Sequence, residues 1–267
     1  MARYRLPVVV LGVPIRGKRN PYLVMLTRSG FIDVDVVVEE SEKPECLIEG
    51  SPSPPWSLRI ALQEFVGELS ARLEAGLFVR VSYSVAGDAP SSSIYAVLSF
   101  EVVRRVAEEA GYGLEPGEVV EAAASIDEDA GVGLDYVDGL RRALVEGCSV
   151  VYRRGEGAYP ADVPGLRLVL LGEETVSGSL EGEIPSSLLS LLTKLSGSVV
   201  VEAVSRLRGG EGWGDVWRWC ARMENAVYYL VYGLEPGGEG CKWTPGMQSA
   251  AMLCLEGRGE GVLLDLV

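Results

Sequence analysis

Apolar positions along this chain recur at two spacings, every second residue and every third or fourth, and the stretches that carry them interleave. Residues 6–13 form a short, Val-rich apolar run closed by Pro14 and Gly17, the pattern of a buried strand. Residues 31–40 alternate around Val34, Val36 and Val38 and predict a second strand, and residues 46–49 offer a third. A proline-stiffened loop follows, after which Ser57 can cap a helix whose Ile60, Phe65, Leu69 and Leu73 recur at helical spacing. Leu77, Val79, Val81, Tyr83 and Val85 alternate without a break, the cleanest strand in the chain. A loop of small residues then leads into a long helix over about 94–110. Helices are predicted at 118–126 and 136–145, and strands at 149–152 and 166–171.

The last third predicts helices at 186–195 and about 199–207, a glycine-rich loop, and an aromatic helix over 216–232. Strands at 251–255 and 262–266, joined by a glycine-rich turn, read as a hairpin. Strands and helices mix without strict alternation, which favours an α+β fold over a doubly wound parallel sheet. The 267 residues suit one large domain or two closely packed lobes, divided near residue 155.

Charge narrows the partners. With 38 acidic against 24 basic residues the net charge is −14, which argues against a nucleic acid, whose phosphates demand a positive surface. No apolar stretch approaches the ~18 residues of a membrane span, and the opening residues do not read as a leader. The expectation is a cytoplasmic protein that handles small molecules. Arg16, Lys18 and Arg19 form the densest basic cluster, suited to one anionic ligand or, equally, to a solvated loop. The chain has no histidine, so Ser-His-Asp and Cys-His catalysis and His-ligated metals are excluded, and acid–base work falls to Asp, Glu, Lys, Tyr or Cys. Five cysteines without a Cys-x-x-Cys pair suggest thiols in a reducing compartment, not a disulfide framework.

Three segments have the residue types for chemistry. Gly87 to Ser93 lies between the cleanest strand and the longest helix. Unsatisfied amides at a helix start attract phosphate, and Ser91, Ser92 and Ser93 add hydroxyls; the alternative is one capping serine and two solvated ones. Asp127 to Asp135, with Asp138 a turn further on, clusters carboxylates around Gly131 and Gly133. They suit Mg²⁺ binding and hydroxyl activation, or else plain helix-end charge with Asp135 as an N-cap. Lys242 to Ala251 is either a second ligand loop or a connector with Met247 in the core.

In their order these segments resemble the GHMP small-molecule kinases. Val85-Ala-Gly-Asp-Ala-Pro-Ser-Ser-Ser93 stands where that family has Pro-x-Gly-x-Gly-x-Gly-Ser-Ser, with Gly87, Ser92 and Ser93 matching. Lys242-Trp-Thr-Pro-Gly-Met-Gln-Ser-Ala250 resembles its late glycine-rich loop at Lys242, Thr244 and Gly246. Asp129-Ala-Gly-Val-Gly-Leu-Asp-Tyr-Val137 and Ser249-Ala-Ala-Met-Leu-Cys254 are similar to segments of the archaeal pantoate kinases, and Val13-Pro14 to their Val-Pro-x-His, with Arg16 where histidine is expected.

The resemblance implies a two-lobed fold, with an N-terminal lobe like that of ribosomal protein S5 and a C-terminal α/β sandwich. It also implies an ATP·Mg²⁺-dependent kinase, with pantoate in coenzyme A biosynthesis as the leading substrate and mevalonate or shikimate as others. A catalytically silent ligand- or partner-binding relative is the alternative. On this reading Gly87 and Ser91 to Ser93 hold the nucleotide and Asp129 holds the metal. Asp135 or Asp138 is the base, and Arg16, Lys18, Lys242 and Thr244 bind substrate. Proline at 90, Asp88, Met247 and Gln248 depart from the pattern. The aromatic helix, with Trp213, Trp217, Trp219, Tyr228 and Tyr229, is a buried helix or a homodimer face.

Overall fold

The structure is a computed structural model that describes residues 1–132, 134–176, 180–258 and 260–267, and at position 181 the backbone only. One strand pair organises it. β1 (Ala2–Leu11) runs antiparallel to β2 (Tyr22–Ser41). Both faces of the pair are buried, so its alternation separates two cores instead of core from solvent. Leu6, Val9, Tyr22, Val24 and Leu26 enter one core, and Val8, Val10, Leu11, Leu23 and Met25 enter the other. This is why the run at 6–13 reads as continuously apolar.

On the first side, the outer half of β2 pairs antiparallel with β4 (Gly76–Ala86), and β3 (Glu45–Ser51) adds parallel to β4. Helices α1 (Trp56–Leu73), α2 (Ser91–Glu109), α3 (Pro116–Asp129) and α4 (Asp135–Glu146) bury their apolar residues with this sheet. α2 is buried almost all round, which explains its near-continuous apolar sequence. A hairpin of β5 (Val150–Arg153) and β6 (Gly157–Pro160) pairs with the start of β2.

On the second side β7 (Leu166–Thr175) is flanked by β9 (Ser249–Leu255) and β10 (Val262–Leu266), with β8 (Cys241–Pro245) beyond β9. α5 (Ser186–Arg208) and α6 (Trp213–Tyr232) bury Val199, Val200, Ala203, Val216, Trp217 and Cys220 there. The pairing of Leu266 with Thr27 joins both sides into one sheet. The fold is α+β with two lobes, as expected. Residue 155 lies in the turn of the β5–β6 hairpin, and β1 and β2 bury side chains in both cores.

Several local expectations change. The strands at 251–255 and 262–266 do not form a hairpin; β7 lies between them and pairs with both. β9 pairs instead with β8, within the segment expected to be a loop. The two helices at 186–207 are one, α5, running through Gly197. Neither Ser57 nor Asp135 caps a helix: Pro55 and Leu134 stand at those positions, and Ser57 is buried inside the first turn.

The expectation of free thiols is corrected at one pair. Cys241 and Cys254 face each other across β8 and β9 and form a disulfide, while Cys46, Cys148 and Cys220 are free. Thirteen residues of sequence separation hid a pairing that strand register makes direct. Among the described residues one helix, α5, is long and apolar enough to cross a membrane; its inner face packs in the second core. On α6, Trp213, Trp217 and Tyr228 are buried and Tyr229 is exposed.

Candidate functional site

The loop after β1, the loop before α4 and the turn between β8 and β9 converge on a cavity of about 270 Å³. Its walls include Arg16, Lys18, Tyr22, Asp135, Tyr232 and Gln248. Tertiary structure thus brings together three of the expected residues from two distant segments. Arg16 is exposed and Lys18 half-buried, so their charges face a wet, open mouth. Asp135 sits deeper, with its side chain 15% exposed. Its Oδ1 accepts a hydrogen bond from Arg154 at 2.9 Å, and Arg154 also pairs with Glu128. Burial pushes the Asp135 carboxyl above the ordinary carboxylate range, and the Arg19 charge opposes that shift.

Asp138 lies elsewhere. One turn along α4 it joins the lining of a separate depression with Tyr152, Arg142 and Arg154. It is buried beside Arg141, which also forms a 2.7 Å ion pair with Asp127 and donates to Ser99. Tyr95 donates to Asp127 at 2.6 Å. This network holds α2, α3 and α4 together and keeps Asp138 away from the cavity at Asp135. Burial, reinforced by Asp127 and Asp135 and opposed by Arg141, pushes its carboxyl up to about 6. Asp127, expected on the surface, is buried; it follows Val119, Val120 and Ala123 on the inward face of α3. That helical spacing was visible in the sequence.

The α2 terminus also differs from expectation. Ser92 and Ser93 are buried and spend their hydroxyls on carbonyls: Ser92 donates to Pro245 at 2.7 Å and Ser93 to Pro7 at 2.5 Å. They tie the helix to β8 and β1, so their hydroxyls are already committed to the fold. Ser91 is the accessible one, and its partner is an anion. The Ser91 amide donates to Glu173 Oε2 at 3.1 Å and its hydroxyl to Oε1 at 2.5 Å. Ser249 donates to the same Oε1 at 2.5 Å. A Cβ on Gly246 would stand 1.6 Å from Glu173 Oε1, so the carboxylate fills space that only glycine leaves open. Glu173, from the end of β7, therefore sets a carboxylate on the donors at this helix start. Gly87 turns with φ 94° before the loop, open to solvent.

Lys242 and Thr244 are corrected as well. Both are fully buried. Lys242 Nζ lies 2.7 Å from Glu224 Oε2, donates to Val10 and Trp243 carbonyls, and sits over the Trp217 ring. Gly12 N donates to Glu224 Oε1, and Thr244 donates to Val9 O. This set fixes β8 and α6 to β1 and no substrate reaches it. Asp129 is exposed at the end of α3, and among the described residues no group of three potential metal ligands exists. A divalent ion therefore has no protein-built cage here and fits only with phosphate oxygens as most of its ligands. Gly133 lies outside the described residues.

No protein-family model matches the chain, and no curated protein matches it in sequence. Solved structures do match in fold. Mevalonate kinase from methicillin-resistant Staphylococcus aureus aligns with a TM-score of 0.57 at 15% identity, covering 94% of this chain and 88% of that one. Mevalonate diphosphate decarboxylase from Enterococcus faecalis aligns with a TM-score of 0.62 at 10% identity, covering 99% and 95%. This chain has the GHMP-kinase fold. Phosphomevalonate kinase from Streptococcus pneumoniae, solved with phosphomevalonate and AMPPNP, aligns at a TM-score of 0.54 and 12% identity over 96% and 92%. At such identities the likeness carries architecture. Chemistry rests on the cavity at Asp135 and on the anion-occupied start of α2, which meet at the β8–β9 turn: Met247 N donates to Ser91 Oγ, and Tyr136 donates to Gly246 O.

Proposed function

We propose that this chain is a small-molecule kinase that transfers the terminal phosphoryl group of ATP to a hydroxyl of a short hydroxy acid, with pantoate first among the candidates and mevalonate next. The observation that carries the reading is the convergence of Arg16, Lys18 and Asp135 on one cavity whose far wall, the β8–β9 turn, touches the first residue of α2. The cations suit a substrate carboxylate. Asp135, anchored by Arg154, suits orientation of the substrate hydroxyl and acceptance of its proton as the oxygen bonds to phosphorus and the bond to ADP breaks. Its burial-raised pKa favours proton uptake. The Ser91 amide and hydroxyl suit a phosphate oxygen once Glu173, an exposed side chain, turns away. Mg²⁺ would arrive on the phosphates, since no group of three potential metal ligands exists among the described residues.

The test is ATP turnover on a panel of hydroxy acids. Asp135→Asn is expected to lower kcat at least a hundredfold for the accepted substrate while leaving the fold intact. Turnover untouched by that change, or absent across the panel, sinks the reading. Glu173 on the phosphate seat favours a second reading, a relative that binds small acids without turning them over; ligand binding without ATP binding in wild type and in Glu173→Ala would establish it.

A further inference from the structure

Asp135 is held from outside its cavity. Two cations act on its carboxylate, Arg154 and Arg19, and neither lines that cavity. Arg154 lines the separate depression with Tyr152 and Asp138, and Arg19 lines a groove against α5. One tight turn, between β5 and β6, places both. Arg153 Nε donates to the Arg19 carbonyl at 3.0 Å. Arg154 donates to Asp135 Oδ1 at 2.9 Å and also pairs with Glu128 near the end of α3. Gly155 follows with φ 83°, and a Cβ there would stand 3.0 Å from Arg19 Nη1. The Arg19 guanidinium thus lies against the backbone of Gly155. The turn is closed by bonds of its own: Arg153 pairs with Glu156 at 2.5 Å, and the Glu156 amide donates to the Arg153 carbonyl at 3.0 Å.

A carboxylate on the wall of a wet cavity turns among its rotamers and loses its aim. A cation bonded to one of its oxygens holds it still. Here the bond takes Oδ1, and among the described residues no hydrogen bond engages Oδ2. The other charged and titratable groups near Asp135 do not hold it. Arg16 and Lys18 stand at the open mouth of the cavity, and Asp138 is bonded to Arg141. The phenols of Tyr22 and Tyr152 stay neutral, because burial pushes both up and the Asp135 charge adds to that. Burial also raises the Asp135 carboxyl, and Arg19 opposes the shift. A hydrogen bond from Arg154 favours the same charged form. Loss of either cation therefore loosens the carboxylate and makes it harder to ionise.

We propose that the β5–β6 turn positions the base: Arg154 fixes the Asp135 carboxylate through Oδ1, and Gly155 makes room for Arg19 beside it. The proposal rests on Asp135 being the proton acceptor, as read above, and names what controls that group. Arg154 and Gly155 do not line the cavity, so both are positioning residues that act through others.

The experiment is an NMR pH titration of the aspartate carboxyls in the full chain, without ligand, with Asp135→Asn assigning the signal. Wild type is compared with Arg154→Met and with Gly155→Ala, which crowds Arg19. The expected result is an Asp135 midpoint raised by about one pH unit in Arg154→Met and by less in Gly155→Ala. An unmoved midpoint in Arg154→Met overturns the proposal. A merely structural Arg154, tying the turn to Glu128, would lower the melting temperature and leave the midpoint where it was. Turnover of the hydroxy-acid panel separates the two readings. Arg154→Met should lower kcat about tenfold at neutral pH, leave KM for ATP unchanged, and move the acid limb of the rate with the NMR midpoint. A moved midpoint in a chain that turns over no acid defeats the kinase and keeps the positioning turn. Turnover whose acid limb stays in place in Arg154→Met keeps the kinase and defeats the positioning turn.

Discussion

Glu173 sets the sharpest quantitative expectation. Its carboxylate receives the Ser91 amide, the Ser91 hydroxyl and the Ser249 hydroxyl, at the positive end of α2. Charge-assisted bonds of this kind are stronger than neutral ones, and the helix end adds a favourable field. Glu173 is exposed, so solvent and salt screen much of the gain; about 1–2 kcal/mol is a reasonable net value for the contact. A nucleotide phosphate that takes the same donors must first displace it. Glu173→Ala removes the competitor, and its affinity for ATP·Mg²⁺ should therefore rise by roughly fivefold to thirtyfold over wild type. The same substitution should lower stability by about 1 kcal/mol, because Ser91 N then meets only water. Titration calorimetry at fixed ionic strength reads the first effect and urea denaturation the second. The reasoning is refuted if the affinity is unchanged or falls, for then Glu173 either does not hold the seat in solution or helps to bind the nucleotide. Glu173→Gln is the finer control: it keeps the volume against Gly246 but loses the charge, and should recover part of the gain.

Lys242→Met should act on stability and not on ligand affinity. It leaves Glu224 buried without its cation, which costs about 3–5 kcal/mol, readable by denaturant unfolding. A variant of wild-type stability with impaired substrate binding would restore Lys242 to the site. Asp138 carries a pH signature. Its carboxyl rises from 3.8 unfolded to about 6 folded, so its stabilising contribution is complete below pH 3.8 and is lost as the pH rises through 6. Asp138→Asn should remove on the order of 3 kcal/mol from the pH dependence of stability across that window. Parallel stability curves for variant and wild type would show that Arg141 compensates fully. For activity, the ionised Asp135 is the competent form and its pKa is raised. Turnover should therefore climb with pH above the usual carboxylate range, and a rate already flat there would remove Asp135 as the proton acceptor.

Much of the site could be listed from the sequence, but its members could not be sorted. Arg16, Lys18 and Asp135 were legible because exposed-loop cations and a helix-start carboxylate beside glycines announce themselves by residue type. Ser92, Ser93, Lys242 and Thr244 have the same residue types and the opposite fate. Each is buried and bonded to a carbonyl of β1 or β8, and nothing in the local sequence distinguishes a serine that faces a cleft from one that faces a strand. Glu173 was missed for a related reason: it closes an apolar strand, and only packing brings it to the start of α2.

The sequence by itself determined the local elements and the class of fold. A two-residue period cannot be buried as a helix, nor a long 3.6-residue period as a strand, so the strand at 77–85 and the helix beginning near 94 follow from pattern alone. The absence of histidine likewise closed imidazole chemistry to it. Tertiary structure decided everything that depends on which distant groups meet. β7 separates the two C-terminal strands, Cys241 finds Cys254, Asp127 turns inward to Arg141, and a carboxylate from β7 reaches the start of α2. Pattern is a property of neighbours along the chain. A site is a set of neighbours in space, and strand register and helix packing fix that set only once the whole core has closed.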